Sequence, residues 1–219
     1  MPSRRQFNKG LVGAAFAGLS ASLLGCSQSE AKPMLTPTSA GYGPLIADPN
    51  GLLDLPEGFS YRVISSLDDP MKDGLTVPDR ADGMGCFKWD DDRVVLIRNH
   101  ELKPKDRQFS TAELASFTTD KAYDSFPDGV AVPADTTNVI HNLKTGKVEQ
   151  EFFSLVGTIR NCSGGITPWQ TWLTCEESID KAGDQLKQDH GYIFEVPANA
   201  TGLVEPKPLK QMGRFNHEA

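Results

Sequence analysis

Four short segments of this chain carry side chains that could hold a metal ion. They are Asn99-His100-Glu101, Asn161-Cys162-Ser163-Gly164-Gly165, Cys175-Glu176-Glu177 and Asn216-His217-Glu218. Carboxylates and amide carbonyls suit hard cations such as calcium or magnesium, whereas a thiolate or imidazole suits iron or zinc. A site drawing on both kinds of donor could hold both kinds of metal. Gly164-Gly165 would let the main chain pass close to a metal or an anion. Plainer readings stand beside these. Cys162 and Cys175 could form a disulfide or pack as small apolar side chains. His100 and His217 could be structural histidines, and Glu176-Glu177 a solvated strand end. Asp90-Asp91-Asp92 looks like a cation loop, but its simplest role is a hairpin turn. Ser163 lacks the Gly-x-Ser-x-Gly setting of a hydrolase nucleophile, and neither a phosphate-binding Gly-rich loop nor a Cys-x-x-Cys pair occurs.

The elements that must carry these segments read as short strands separated by Gly, Pro and Asp turns. Phe59–Ser65 is aromatic and β-branched and predicts a strand. Cys86–Trp89 and Arg93–Arg98 read as a hairpin closed by Asp90-Asp91-Asp92. Thr137–Leu143 and Val148–Leu155 read as a second, turning at Lys144–Lys147 and bounded by Gly157. Thr167–Thr174 and His190–Val196 add further strands, while the Asn161–Gly165 segment reads as a turn. Helical signal is scarce: Ser110-Thr111-Ala112-Glu113 is a capping box that could open a short helix to Phe117. Asp180–Gln188 is either another helix or a polar excursion. This pattern predicts an all-β sandwich, barrel or propeller. The trio Asn-His-Glu recurs 117 residues apart, behind Arg98 and shortly after Arg214. Repetition of one polar trio at strand ends favours a propeller, whose blades surround a shared centre.

The amino terminus reads as an address. Ser3-Arg4-Arg5-Gln6-Phe7-Asn8-Lys9 resembles the twin-arginine export consensus, with Arg4 and Arg5 as its pair. The charge-free stretch Gly10–Gly25 is too short and too weakly apolar to span a bilayer, which takes roughly 20 apolar residues. Leu23-Leu24-Gly25-Cys26 resembles a lipobox, with Cys26 as the lipidated first residue of the mature chain. Residues 1–25 are thus expected to be a signal, 26–42 a Ser/Pro/Thr-rich tether, and 43–219 the folded part. The 219 residues carry a net charge of −7. Cleavage before Cys26 removes three basic and no acidic residues, leaving 19 against 29 and a net charge of −10. That balance excludes nucleic-acid binding through bulk positive charge. Hydrophobic residues at 38% are too many for wholesale disorder.

Longer runs carry a resemblance. Asp48-Pro49-Asn50-Gly51-Leu52-Leu53-Asp54-Leu55-Pro56-Glu57-Gly58-Phe59-Ser60-Tyr61, Arg98–Glu101, Gly157–Gly165, Trp172–Glu177, His190–Pro197 and Met212–Ala219 together resemble the PhoX-type alkaline phosphatases and their shorter relatives. Two departures stand out. Ala81-Asp82-Gly83-Met84 replaces the family's frequent His-Asp-Gly-Met, and Pro133-Ala134-Asp135 stands where the family has Gly-Gly before the Thr pair.

The resemblance implies a six-bladed β-propeller with iron and calcium at its centre, acting on phosphomonoesters. Only the first three or four blades are expected within this chain, and residues 1–219 alone are expected neither to close nor to act. The implied metal ligands are Cys162, as a thiolate to iron, with Glu101, Glu176 or Glu177, Glu218, and the neighbouring Asn99 and Asn216. Cys162, Glu177 and Glu218 are the implied catalytic set. Arg160 or Arg214 could steady a phosphate by a bidentate contact. The expected partners are a small phosphate ester, the twin-arginine translocase and a membrane reached through a lipid anchor, with no nucleic acid. The expected location is beyond the bacterial cytoplasmic membrane, as a periplasmic protein or a membrane-anchored lipoprotein. The alternative is a lipid-anchored, calcium-stabilised propeller that binds a partner and has no phosphatase activity.

Overall fold

A computed structural model describes residues 41–106 and 121–218. The capping-box segment Ser110–Phe117 and the export and lipidation residues Arg4, Arg5 and Cys26 lie outside the described residues. The chain divides into two units, Met1–Arg62 and Val63–Ala219.

In the first unit, β1 (Leu45–Ile46) pairs antiparallel with β2 (Leu55–Pro56). The loop between them winds around Asp48. Its carboxylate accepts hydrogen bonds from the Tyr61 hydroxyl at 2.5 Å and the Leu52 amide at 2.9 Å. These bonds, Tyr61's foremost, lower its pKa to about 2. The strand expected at Phe59–Ser65 does not form. Tyr61 is turned back to cap Asp48, and the boundary between the units falls at Arg62–Val63, inside that run.

The second unit contains two antiparallel sheets and no α-helix among the described residues. The first sheet is a meander of β3 (Ala81–Lys88), β4 (Arg93–His100), β5 (Ala134–Asn142) and β6 (Lys147–Thr158). Both expected hairpins are present. Asp90 closes the first, its carboxylate accepting from the Arg93 amide at 2.8 Å and the Arg93 side chain. Asn142 closes the second by accepting from the amides of Lys144 and Thr145, both at 3.0 Å. The second sheet orders β7 (Asn161–Ile166), β8 (Thr171–Glu176) and β9 (Ile193–Pro197). The segment after β9 returns beside it through a Phe194–Pro208 bridge. Asp180–Gln188 forms bends rather than a helix. Neither sheet is closed on itself.

Two apolar clusters hold the unit together. One gathers Phe87, Val95, Ile97, Phe152, Leu155 and Trp172 with Phe194 and Val196, and so joins the two sheets. The other places Leu102, Phe126, Val132, Phe153 and Ile159 beneath the loops that reach the end of β4 and the start of β7. Fully buried Phe or Leu side chains contribute about 1.5–3 kcal/mol each, so these clusters fix where the loop ends emerge.

Candidate metal centre

Asn161–Gly165 is a strand, not the expected turn, and the turn lies one residue earlier. Arg160 takes a left-handed φ of 51° as the chain leaves the first sheet for the second. Its amide donates to the Leu102 carbonyl at 2.9 Å, and its carbonyl accepts from the Glu177 amide at 2.9 Å. Buried Ile159 anchors the corner from below. Gly164 serves packing: a Cβ there would meet the Leu173 carbonyl at 2.0 Å, so its hydrogen permits β7 and β8 to approach. Gly83 does the same for β3, where a Cβ would come within 2.6 Å of the Cys162 carbonyl.

This corner brings three expected donors together. The Sγ of Cys162 and carboxylate oxygens of Glu177 and Glu218 all lie within 4.8 Å of one another. Cys162 is buried at the start of β7, Glu177 is half-buried after β8, and Glu218 is exposed. The His217 amide donates to the Glu176 carbonyl at 3.0 Å, which sets Glu218 beside Glu177. Cys162 and Cys175 are free thiols, so the disulfide alternative does not hold. Burial, then the nearby Glu218 and Glu177 charges, push the Cys162 thiol up to about 11. Burial alone takes Cys175 to a similar value.

Glu101 stands on the other side of Arg160. The guanidinium donates to Glu101 at 2.9 Å and to the Glu177 carboxylate, and also to the Glu177 carbonyl at 2.8 Å. The Glu101 amide is tied to the Arg80 carbonyl at 2.9 Å. Asp82 joins the cluster: burial and the adjacent Glu101 charge raise its pKa. The donor chemistry fits a metal. One soft sulfur and several hard oxygens converge, and their mutual repulsion is the field that a bound cation relieves.

The remaining expected residues are placed elsewhere. Glu176 is fully buried and turned inward. Its carboxylate accepts from the amides of Ile159 at 2.9 Å and Gly191 at 2.8 Å, and meets the His190 ring at 2.7 Å. Asp124 holds the other ring nitrogen at 3.1 Å. Burial disfavours a charged imidazole, but the two carboxylates outweigh it and raise the His190 pKa to about 9. This triad ties the end of β8 to the loops that carry Asp124 and His190, and leaves Glu176 no free oxygen. Asn99 is likewise fully engaged: its side chain accepts from Trp172 and Thr174, both at 2.8 Å, and donates to the Ser163 carbonyl at 2.9 Å. His100 is structural, held neutral with a pKa near 3 by burial and then by Arg98. Arg214 braces the Ile179 and Asp180 carbonyls at 2.6 and 2.8 Å. Asn216 is exposed on a neighbouring cavity wall.

Asp82, Asp124 and the Arg160–Glu101–Glu177 ion pairs are not among the features expected from the sequence. The Asp-Gly-Met remnant at Asp82–Met84 was the available signal for the first.

An all-β protein whose strand ends converge on a thiol-and-carboxylate donor group is the class these observations define. The chain matches the family model for alkaline phosphatase PhoX over residues 40–133 and 130–219. It belongs to that family. No curated protein and no solved structure matches it.

Proposed function

We propose that the protein is an exported, metal-dependent phosphomonoesterase that releases phosphate from organic esters. The observation that carries this is the convergence of Cys162, Glu177 and Glu218 within 4.8 Å, in a chain of the PhoX family. Cys162, Glu177 and Glu218 would hold the metals, iron at the thiolate and calcium at the carboxylates, with Glu101 and Asp82 beside them. When bound, such metals supply Lewis acidity and neutralise the charge on a transferring phosphoryl group. The chain's own part is positioning. Arg160 orients Glu101 and Glu177 together, and the buried Asp124–His190–Glu176 triad fixes the loops on which Glu177 and Glu218 stand. Without a cation the carboxylates would repel a phosphate dianion, so activity requires the metals.

The two sheets fit successive blades of a six-bladed propeller. Each is an antiparallel meander, and the strand-like return at Pro208 lies where a fourth strand of the second blade belongs. The Arg4-Arg5 signal would deliver the folded protein across the cytoplasmic membrane, and lipidated Cys26 would keep it attached.

Hydrolysis of p-nitrophenyl phosphate by the intact protein tests the activity. We expect turnover that EDTA abolishes and that calcium with iron restores. Metal-replete protein that binds calcium but hydrolyses no phosphate ester would instead be a binding module.

A further inference from the structure

A cavity of about 480 Å³ shares Glu177 with the donor group and is lined as well by Arg160, Asn216, Lys103, Lys105 and Asp180. Glu177 and the two lysines thus border one and the same space. The lysines sit on a braced loop. Leu102 is fully buried and its carbonyl receives the Arg160 amide at 2.9 Å. Asp106 closes the turn by accepting from the Lys103 amide at 3.1 Å and pairs with Arg80 at 3.3 Å. The same short run thus sends Glu101 to the donor group and the lysines to the cavity. Arg160 is engaged by Glu101 and Glu177, whereas neither lysine pairs with a carboxylate among the described residues. In a chain of net charge −7, two uncommitted cations beside an acidic centre form a local reversal of field.

We propose that this cavity is a leaving-group subsite, selecting phosphate esters that carry a second anionic group, which Lys103 and Lys105 bind. The proposal rests on the phosphatase reading of the adjoining Cys162–Glu177–Glu218 group. A neutral alcohol leaves both ammonium groups solvated, while a leaving group bearing a carboxylate or further phosphate gains charge-assisted hydrogen bonds.

Isothermal titration of the metal-replete intact protein tests this with two probes that share a two-carbon phosphonate and differ by one terminal carboxylate, ethylphosphonate and 3-phosphonopropionate. The second should bind at least about tenfold more tightly, the scale of one hydrogen bond to a charged group. In a Lys103→Met/Lys105→Met variant that ratio should fall to about twofold, with ethylphosphonate affinity unchanged. Raising the salt should lower the wild-type ratio, because the lysines are not deeply buried. A Lys103→Arg/Lys105→Arg variant should retain the preference, which guards against a folding defect in the methionine variant. Equal affinities in the wild type, or a ratio unchanged by the methionine variant, would overturn the subsite and leave the phosphatase reading standing. Binding of neither probe, with no ester hydrolysis, would remove the phosphatase reading and the subsite with it.

Discussion

Asp135 is buried to 1% exposure, and neither carboxylate oxygen has a hydrogen-bond partner. Burial raises its pKa well above the ordinary 3.8; Arg98 opposes the shift and Asp73 adds to it. It stands opposite His100 in the β4–β5 register, in the stretch where the family has Gly-Gly. The folded protein therefore holds a proton that the unfolded chain releases. Its stabilising contribution is complete below pH 3.8 and is lost as pH rises toward the raised value. Asp135→Asn should accordingly flatten the fall of stability with rising pH and melt at a higher temperature than wild type at pH 9. Thermal denaturation from pH 5 to 9 checks this; parallel curves would mean that Asp135 is ionised and paired.

At the scale of elements, the hairpins were legible because local chemistry decides them. Asp90 and Asn142 cap their own turns through amides only two or three residues away. The β7 strand was not legible, because Asn161-Cys162-Ser163-Gly164-Gly165 has turn composition and its strand state comes from contact with β8. The same holds for Asn99 and Glu176. Their sequence neighbours mark them as ligands, but distant partners occupy their polar atoms: Trp172 and Thr174 for Asn99, Gly191 and His190 for Glu176. Gly164→Ala should thus cost about 1–3 kcal/mol, since the added carbon meets main chain that cannot step aside. Gly165→Ala should be nearly neutral, because no atom lies within 4 Å of its Cβ position. Urea denaturation of the two variants compares them directly.

For the whole molecule, family and fold class were readable from ordered motifs spread over most of the chain, and the family match spans residues 40–219. What no motif could reveal was which of two adjacent glutamates faces the donor group. That depends on β8 ending at Glu176, so that the next residue turns outward to meet Arg160. The proposed delivery rests separately on the first 26 residues. Arg4-Arg5→Lys-Lys should trap the protein in the cytoplasm, and Cys26→Ala should move it from the membrane to the soluble fraction. Fractionation reads both, and membrane retention of Cys26→Ala would remove the lipid anchor.

In the proposed centre the Cys162 sulfur is a ligand to iron while the Cys175 sulfur is packing. Thiolate bound to ferric iron absorbs visible light, and a serine hydroxyl is a poor replacement for that soft anion. The most direct measurement is the visible spectrum and iron content of the intact wild-type protein beside Cys162→Ser and Cys175→Ser. Colour and iron are expected in the wild type and in Cys175→Ser, with both lost from Cys162→Ser. A Cys162→Ser protein that keeps its iron and its absorption would remove Cys162 from the ligand set.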